Sequence, residues 1–404
     1  MVRAALPVLL ASTLAAQTFE QRGFVENRLQ LFPQTAPNDR AHAVDQMTVR
    51  WESAYRPAPW VRFNVSFDAR ADTHRQVDRQ SRVSLDDRRI ARPALNARLW
   101  SVQLAKGPVT LEVGRQLIRW GKTDALPITD RFAPRDYLSS VVEPEFLPVP
   151  AARLTIAGSH DSLDLVYQPW FVPSRTPLLN QRWTVPPDSA SGLSFSDAGA
   201  RYPGGAQLGV RWNRTTGPLD YSVSYFRGRA NLPLFEALAP ADPVPVRRLY
   251  PTMETYGADV AWQSRWVTLK GEAAYLGTRT SGAEEFILYA IQAERQIREV
   301  SLAGGYIGSV VTAAGAAALQ FAPDRGLAKS VFARASWTID PNRALTFDTA
   351  VRRNGSFARV EFSQAIGGHW RISPGFVWLR GDPLDFLGQF RRNSYFSLAL
   401  RYSF

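Results

Sequence analysis

The 404-residue chain contains no cysteine. Disulfides, thiolate metal sites and a thiol nucleophile are excluded with it. Histidine is almost as scarce: His42, His74, His160 and His369 are the whole set. None pairs with another at ligand spacing, and none falls in the middle of an extended segment. A metal centre and a Ser-His-Asp hydrolase both lack their parts, so the chain reads as a non-enzyme that takes no metal or cofactor. After the first residues there is no run of ~20 apolar residues, which excludes a transmembrane helix. A nucleotide-binding motif is missing too, so any transport would be passive.

What is present is alternation. In Trp60 to Asp72, Val61, Phe63, Val65, Phe67, Ala69 and Ala71 face one way, and Arg62, Asn64, Ser66, Asp68, Arg70 and Asp72 the other. Lipid against one face and water against the other accounts for both. Negative mean hydropathy does not oppose this, because alternation hides apolar surface from window averages. The last residues repeat the pattern, with Phe396, Leu398, Leu400, Tyr402 and Phe404 on one face and Ser397, Ala399, Arg401 and Ser403 on the other. A closing strand ending in an aromatic resembles the C-terminal signal read by the barrel-assembly machinery, here ending at Phe404. Twelve Trp and twenty-two Phe suit aromatic girdles at the membrane interfaces.

Segments of this kind recur from Phe24 to the C-terminus, roughly eighteen in all, with sixteen the other even count within reach. Their connections alternate. Long ones run near 73–92, 119–150, 169–203, 228–252 and 308–328, and tight Gly, Pro, Asp and Asn turns lie between. The expected fold is all-β: a transmembrane antiparallel barrel with short periplasmic turns and long extracellular loops. Arg3, an apolar stretch from Ala4 to Leu14 and Thr13-Leu14-Ala15 read as a signal peptide over 1–15, leaving 16–404 as the barrel. The expected location is the outer membrane of a Gram-negative-type bacterium. A plugged transporter would need about 22 strands and an N-terminal plug, for which the chain has no room.

Between Val113 and Pro177 lies a denser pattern: Gly114-Arg115-Gln116, Trp120-Gly121-Lys122-Thr123-Asp124, Ala133-Pro134-Arg135-Asp136-Tyr137, Leu147-Pro148-Val149-Pro150, Gln168-Pro169-Trp170-Phe171 and Pro173-Ser174-Arg175-Thr176-Pro177. This stretch resembles an uncharacterised porin-superfamily group of Gram-negative outer-membrane proteins, akin to the alginate-export-type porins. The resemblance implies a barrel of this size with an inward-folded loop near 119–150, and no catalytic residues. Ala133 stands where the group carries Asn, so a turn bond from that side chain is missing.

The loop 119–150 carries charges of both signs. Lys122, Asp124, Asp130, Arg131, Arg135 and Asp136 are the candidates for a constriction, where opposed rows would set size and charge selectivity. The competing reading is that they only pin the loop to the wall. On the strands, inward Arg28, Arg50, Arg62, Arg70, Arg98, Arg153, Arg211, Lys270, Arg334, Arg352, Arg359, Arg371 and Arg401 nearly balance Glu26, Glu52, Asp68, Asp72, Glu112, Asp164, Asp259, Glu272, Glu294, Asp348 and Glu361. The formal net charge of +12 therefore belongs largely to loops and turns, such as Arg75, Arg79, Arg82, Arg88, Arg89 and Arg92. There it would meet lipopolysaccharide phosphates or draw anionic solutes to the mouth. Trp170, Phe171 and Trp183 form a candidate ligand platform, with girdle or loop packing as the alternative. A lipid-facing belt makes nucleic acid an implausible partner.

The function expected is a porin-like channel for passive diffusion of polar or charged small solutes. The competing class is a non-conducting barrel that binds or moves a hydrophobic or lipid-like ligand, or a structural membrane anchor. Apolar inward positions Val102, Val166, Phe226, Leu288, Ile307, Phe332, Val377 and Leu379 speak for it.

Overall fold

Alternating chemistry along each segment dictates an extended strand with one wet and one greasy face, and a ring of such strands leaves no edge unpaired. The computed structural model describes residues 18–124, 126, 128–185, 193–315 and 319–404. The expected signal peptide over 1–15 lies outside them.

The barrel strands are β1 (Thr18–Leu31), β2 (Ala43–Ala58), β3 (Val61–Asp72), β4 (Arg92–Lys106), β5 (Val109–Gln116), β6 (Val149–Ala157), β7 (Asp161–Gln168), β8 (Gln207–Thr216) and β9 (Leu219–Arg229). The ring continues with β10 (Thr252–Gln263), β11 (Thr268–Gly277), β12 (Glu285–Ile297), β13 (Val300–Ala313), β14 (Ser330–Asp340), β15 (Arg343–Arg352), β16 (Gly355–Ile366), β17 (Trp370–Gly381) and β18 (Tyr395–Ser403). Each pairs antiparallel with the next, and β1 pairs with β18 from Phe24↔Ser403 to Leu31↔Phe396. The result is a closed barrel of 18 strands, the larger of the two expected counts. Past the last ladder rung, Phe404 and Gly23 exchange backbone hydrogen bonds of 3.0 and 2.9 Å. The Phe404 ring lies where a Cβ on Gly23 would stand, 2.5 Å from its Cζ, so glycine makes room for the terminal aromatic.

Connections at one end are tight turns and those at the other are long, apart from the short outer link Arg353-Asn354 between β15 and β16. The outward face is an exposed apolar belt. Trp60, Trp262, Trp266, Trp337 and Trp370 mark its turn-side rim, and Tyr167, Tyr256 and Trp378 its loop-side rim. No helix among the described residues is long and apolar enough to cross a membrane; the strands cross it. Above the loop-side rim, Phe195–Arg201, Val244–Leu249, Leu234–Ala237 and Leu319–Gln320 form a separate small sheet, which the alternation pattern did not announce.

The apolar core lies inside the ring. Leu288, Ile307, Phe332, Val377 and Leu379 pack against loop residues Leu126, Ile128, Val141 and Trp183, and Val166 and Phe226 pack against Ile118, Trp120, Phe132 and Val172. Val102 departs from expectation. It pairs with Val113 and Phe63 on the lipid face, because the register with β3 slips between Leu99 and Ala97. Arg98 is the extra residue of that bulge, and one extra residue inverts the parity of every position beyond it.

Candidate functional site: a loop spanning the lumen

The segment Leu117–Pro148 touches inward side chains on opposite sides of the ring. On one side its anchor is Glu272 of β11. One carboxylate oxygen accepts Lys122 N (3.1 Å), Thr123 N (3.0 Å) and Thr123 Oγ1 (2.7 Å); the other accepts Thr129 N (2.6 Å) and Thr129 Oγ1 (2.9 Å). A buried carboxylate with both oxygens saturated by donors is a strong, directional clamp. Beside it, Lys122 Nζ reaches Asp259 at 2.8 Å and Asp220 at 3.1 Å. The Asp124 backbone N–H donates to Gln292 Oε1 (3.0 Å), whose amide donates back to Asp124 Oδ2 (2.6 Å).

On the far side the loop presents carboxylates to arginines. Glu145 meets Arg50 at 2.9 Å, Arg70 at 2.8 Å and Arg98 at 3.7 Å. Arg50 and Arg70 share Asp68, at 2.6 and 2.9 Å. Burial opposes ionisation of Glu145, but Arg70 and Arg50 outweigh it and hold its carboxyl well below the usual range. Glu143 lies 2.8 Å from Arg359 and accepts the Tyr395 hydroxyl.

The remaining candidates take different places. Asp130 is buried; it accepts Gly121 N (2.7 Å) and Trp120 N and lies 3.2 Å from Arg119. Asp136, also buried, makes a two-pronged pair with Arg92, both bonds 2.8 Å, and meets Arg175 at 3.0 Å. Arg131 and Arg135 line an outer cleft with Asn231, Thr252 and Glu284, and the Arg135 guanidinium stands 4.8 Å from the Phe146 ring centroid. Phe171 and Trp183 are buried, packed on Tyr250 (4.8 Å) and Phe390 (5.5 Å), while Trp170 is half-buried against the second core cluster. The structure thus brings Lys122 and Asp124 together at one wall, sets Asp130 and Asp136 within the loop's own framework, and leaves Arg131 and Arg135 on the outer side.

The dense motif now has a physical content. Its Arg115, Asp136 and Arg175 belong to a buried cluster with Asp87 and Arg92, tying three loops together. A second tie joins two of these loops to the 32–42 connection: Asp39 accepts His74 Nε2 at 2.7 Å and the Ala41 N–H at 2.9 Å and lies 3.5 Å from Arg182. Burial opposes ionisation of Asp39, but these partners prevail and lower its pKa. Sequence reasoning had placed Glu272 inward without a role, and missed Asp39 and Gln292; only the loop backbone in place reveals what they hold.

The wall itself is stitched by neighbour pairs such as Arg153–Asp164 (2.5 Å), Arg211–Asp259 (3.1 Å) and Arg359–Glu361 (2.7 Å). On the turn side of the loop, Glu20, Arg22, Glu52, Arg62, Asn64 and Glu112 help to line a cavity of about 350 Å³. Among the described residues no cluster of metal-binding side chains occurs.

No family model matches the sequence, and no curated protein does either. Among solved structures, a BenF-like porin from Pseudomonas fluorescens Pf-5 is similar with a TM-score of 0.58 at 8% identity, over 97% of this chain and 98% of that one. OccAB4 of Acinetobacter baumannii gives 0.56 at 9% identity, over 96% and 98% of the respective chains. At such identities the likeness concerns the fold, a porin-type barrel.

Proposed function

We propose that this chain is an outer-membrane channel of a Gram-negative-type bacterium, through which small polar or charged solutes diffuse passively. The observation that carries the reading is the loop Leu117–Pro148, clamped by Glu272 on one side and presenting Glu145 to Arg50, Arg70 and Arg98 on the other. A barrel whose lumen is crossed by a loop with facing carboxylates and guanidiniums has the parts of a size and charge filter. Lys122, Asp124, Asp130 and Asp136 serve it by fixing the loop, and Arg131 and Arg135 by charging its outer approach. The signal peptide over 1–15, contacts with lipopolysaccharide and assembly through the strand ending at Phe404 complete the proposal, as does kinship of the 113–177 stretch to alginate-export-type porins.

Of the apolar positions that favoured a hydrophobic ligand, Leu288, Ile307, Phe332, Val377 and Leu379 are covered by Leu126, Ile128, Val141 and Trp183, Val166 and Phe226 by Ile118, Trp120, Phe132 and Val172, and Val102 faces outward, so they speak less for that reading. Purified protein added to a planar bilayer should produce discrete conductance steps. A folded barrel that never conducts overturns the proposal. Replacing Arg131 and Arg135 by Ala should move ion preference toward cations; an unchanged reversal potential removes both from the filter.

A further inference from the structure

The lipid-facing belt has a dent. At the turn-side half of β12 to β14 the outward row Ala293–Gly304–Ala333 carries almost no side chain. Ala335 extends it, with Leu302 beside it and Phe347 beyond. The row above, Ile291–Tyr306–Val331, is bulky again. The small row, with Leu302, Phe347 and Val267, lines a mostly apolar groove of about 350 Å³ that Arg295 borders. Arg295 faces outward on β12, and its guanidinium stands 5.8 Å from the Trp266 ring centroid. Arg265 stands over the same ring at 4.6 Å. Among the described residues neither arginine forms an ion pair, although Glu299 lies exposed in the β12–β13 turn.

Two exposed guanidiniums drawn to one interfacial Trp create positive potential at the height where lipid headgroups lie. A dent in the belt directly above them is shaped for a hydrocarbon chain. We propose that this groove is a binding site for one anionic phospholipid of the turn-side leaflet, its phosphate between Arg265 and Arg295 and an acyl chain against Ala293, Gly304, Ala333 and Ala335. Charge complementarity selects an acidic lipid over a zwitterionic one, and the small residues hold the chain close to the barrel backbone.

The test uses the full barrel in nanodiscs of phosphatidylcholine doped with phosphatidylglycerol, with retained lipid counted by native mass spectrometry. The expected result is one phosphatidylglycerol retained per barrel. Retention should fall at least tenfold in R265A/R295A, and also in Gly304→Leu, which fills the groove without touching a charge. The Gly304 Cβ has room, its nearest neighbour being the Phe332 carbonyl oxygen at 3.4 Å. Heat-modifiable gel mobility reports that each variant is folded. Soluble glycerol phosphate in excess should not displace the lipid. Equal retention in all three proteins, displacement by the soluble headgroup, or a changed oligomeric state in Gly304→Leu with unchanged retention would each overturn the site.

Discussion

Glu272 shows how much one wall carboxylate decides. Its two oxygens receive five donors from Lys122, Thr123 and Thr129, and a hydrogen bond to a charged group contributes about 1.5–3 kcal/mol. Glu272→Gln keeps the shape but turns one oxygen into an NH2 group, which then faces N–H and O–H donors. We expect Glu272→Gln and Glu272→Ala to weaken loop docking by at least about 3 kcal/mol, giving larger and noisier conductance steps while the barrel stays folded. Wild-type step size in both variants would show that the clamp does not set the passage. Asp39 gives a pH-dependent counterpart. Its pKa is lowered from 3.8 in the folded protein, so its tie between loops is fully present above that value and is lost as pH falls through the folded pKa. Protease sensitivity of the outer loops should therefore stay constant from neutral pH to about pH 5 and rise only in stronger acid. Asp39→Asn should be sensitive at neutral pH already, and a rise beginning near pH 6 would implicate another group.

At the scale of the element, β5 must stop being a strand and launch the loop within a few residues. Two residues before its end, still paired with Ser101 and Ala151, Gly114 sits at φ +130°, and a Cβ there would lie 2.2 Å from the Trp100 carbonyl oxygen. Gly114→Ala should cost about 3 kcal/mol or more through strain and lost β4–β5 pairing, visible as a lowered yield of the heat-modifiable folded form; undiminished yield would mean the backbone relaxes elsewhere. The strands themselves were legible in the sequence, because lipid and water impose a period of two that no other environment repeats eighteen times. Val102 was misread because the bulge at Arg98 carries no distinctive residue, and its effect shows only in the pairing with β3. The loops were legible as charged and proline-rich, but not their partners. Asp130 and Asp136 look alike beside Asp124 in sequence, yet the first two are buried in the loop framework and the third docks on Gln292. Long-range closure decides that, and a local pattern holds no information on it.

For the whole molecule, the balance of wall charge makes selectivity, in the proposed channel, a property of the crossing point. Neighbouring strands largely neutralise one another through pairs such as Arg334–Asp348 and Arg401–Glu26, so the formal excess of +12 says little about the lumen. Where the loop meets β2, β3 and β4, Arg50, Arg70 and Arg98 face Asp68, Glu52 and the loop's own Glu145. Glu145 is the one member of this set that the loop supplies. Removing its charge leaves three guanidiniums against two carboxylates where the loop meets this wall. Glu145→Gln should therefore shift the reversal potential in a salt gradient toward anions, by an amount that shrinks as ionic strength rises and the Debye length falls to about 3 Å at 1 M. Mild acid should not mimic the substitution. The carboxyl is held below its ordinary 4.5, so its charge is present above that value and lost only as pH falls through the lower folded pKa. A wild-type reversal potential that moves toward anions between pH 7 and 5 would place the controlling carboxylate elsewhere, and an unmoved potential in Glu145→Gln would take the filter away from this part of the loop.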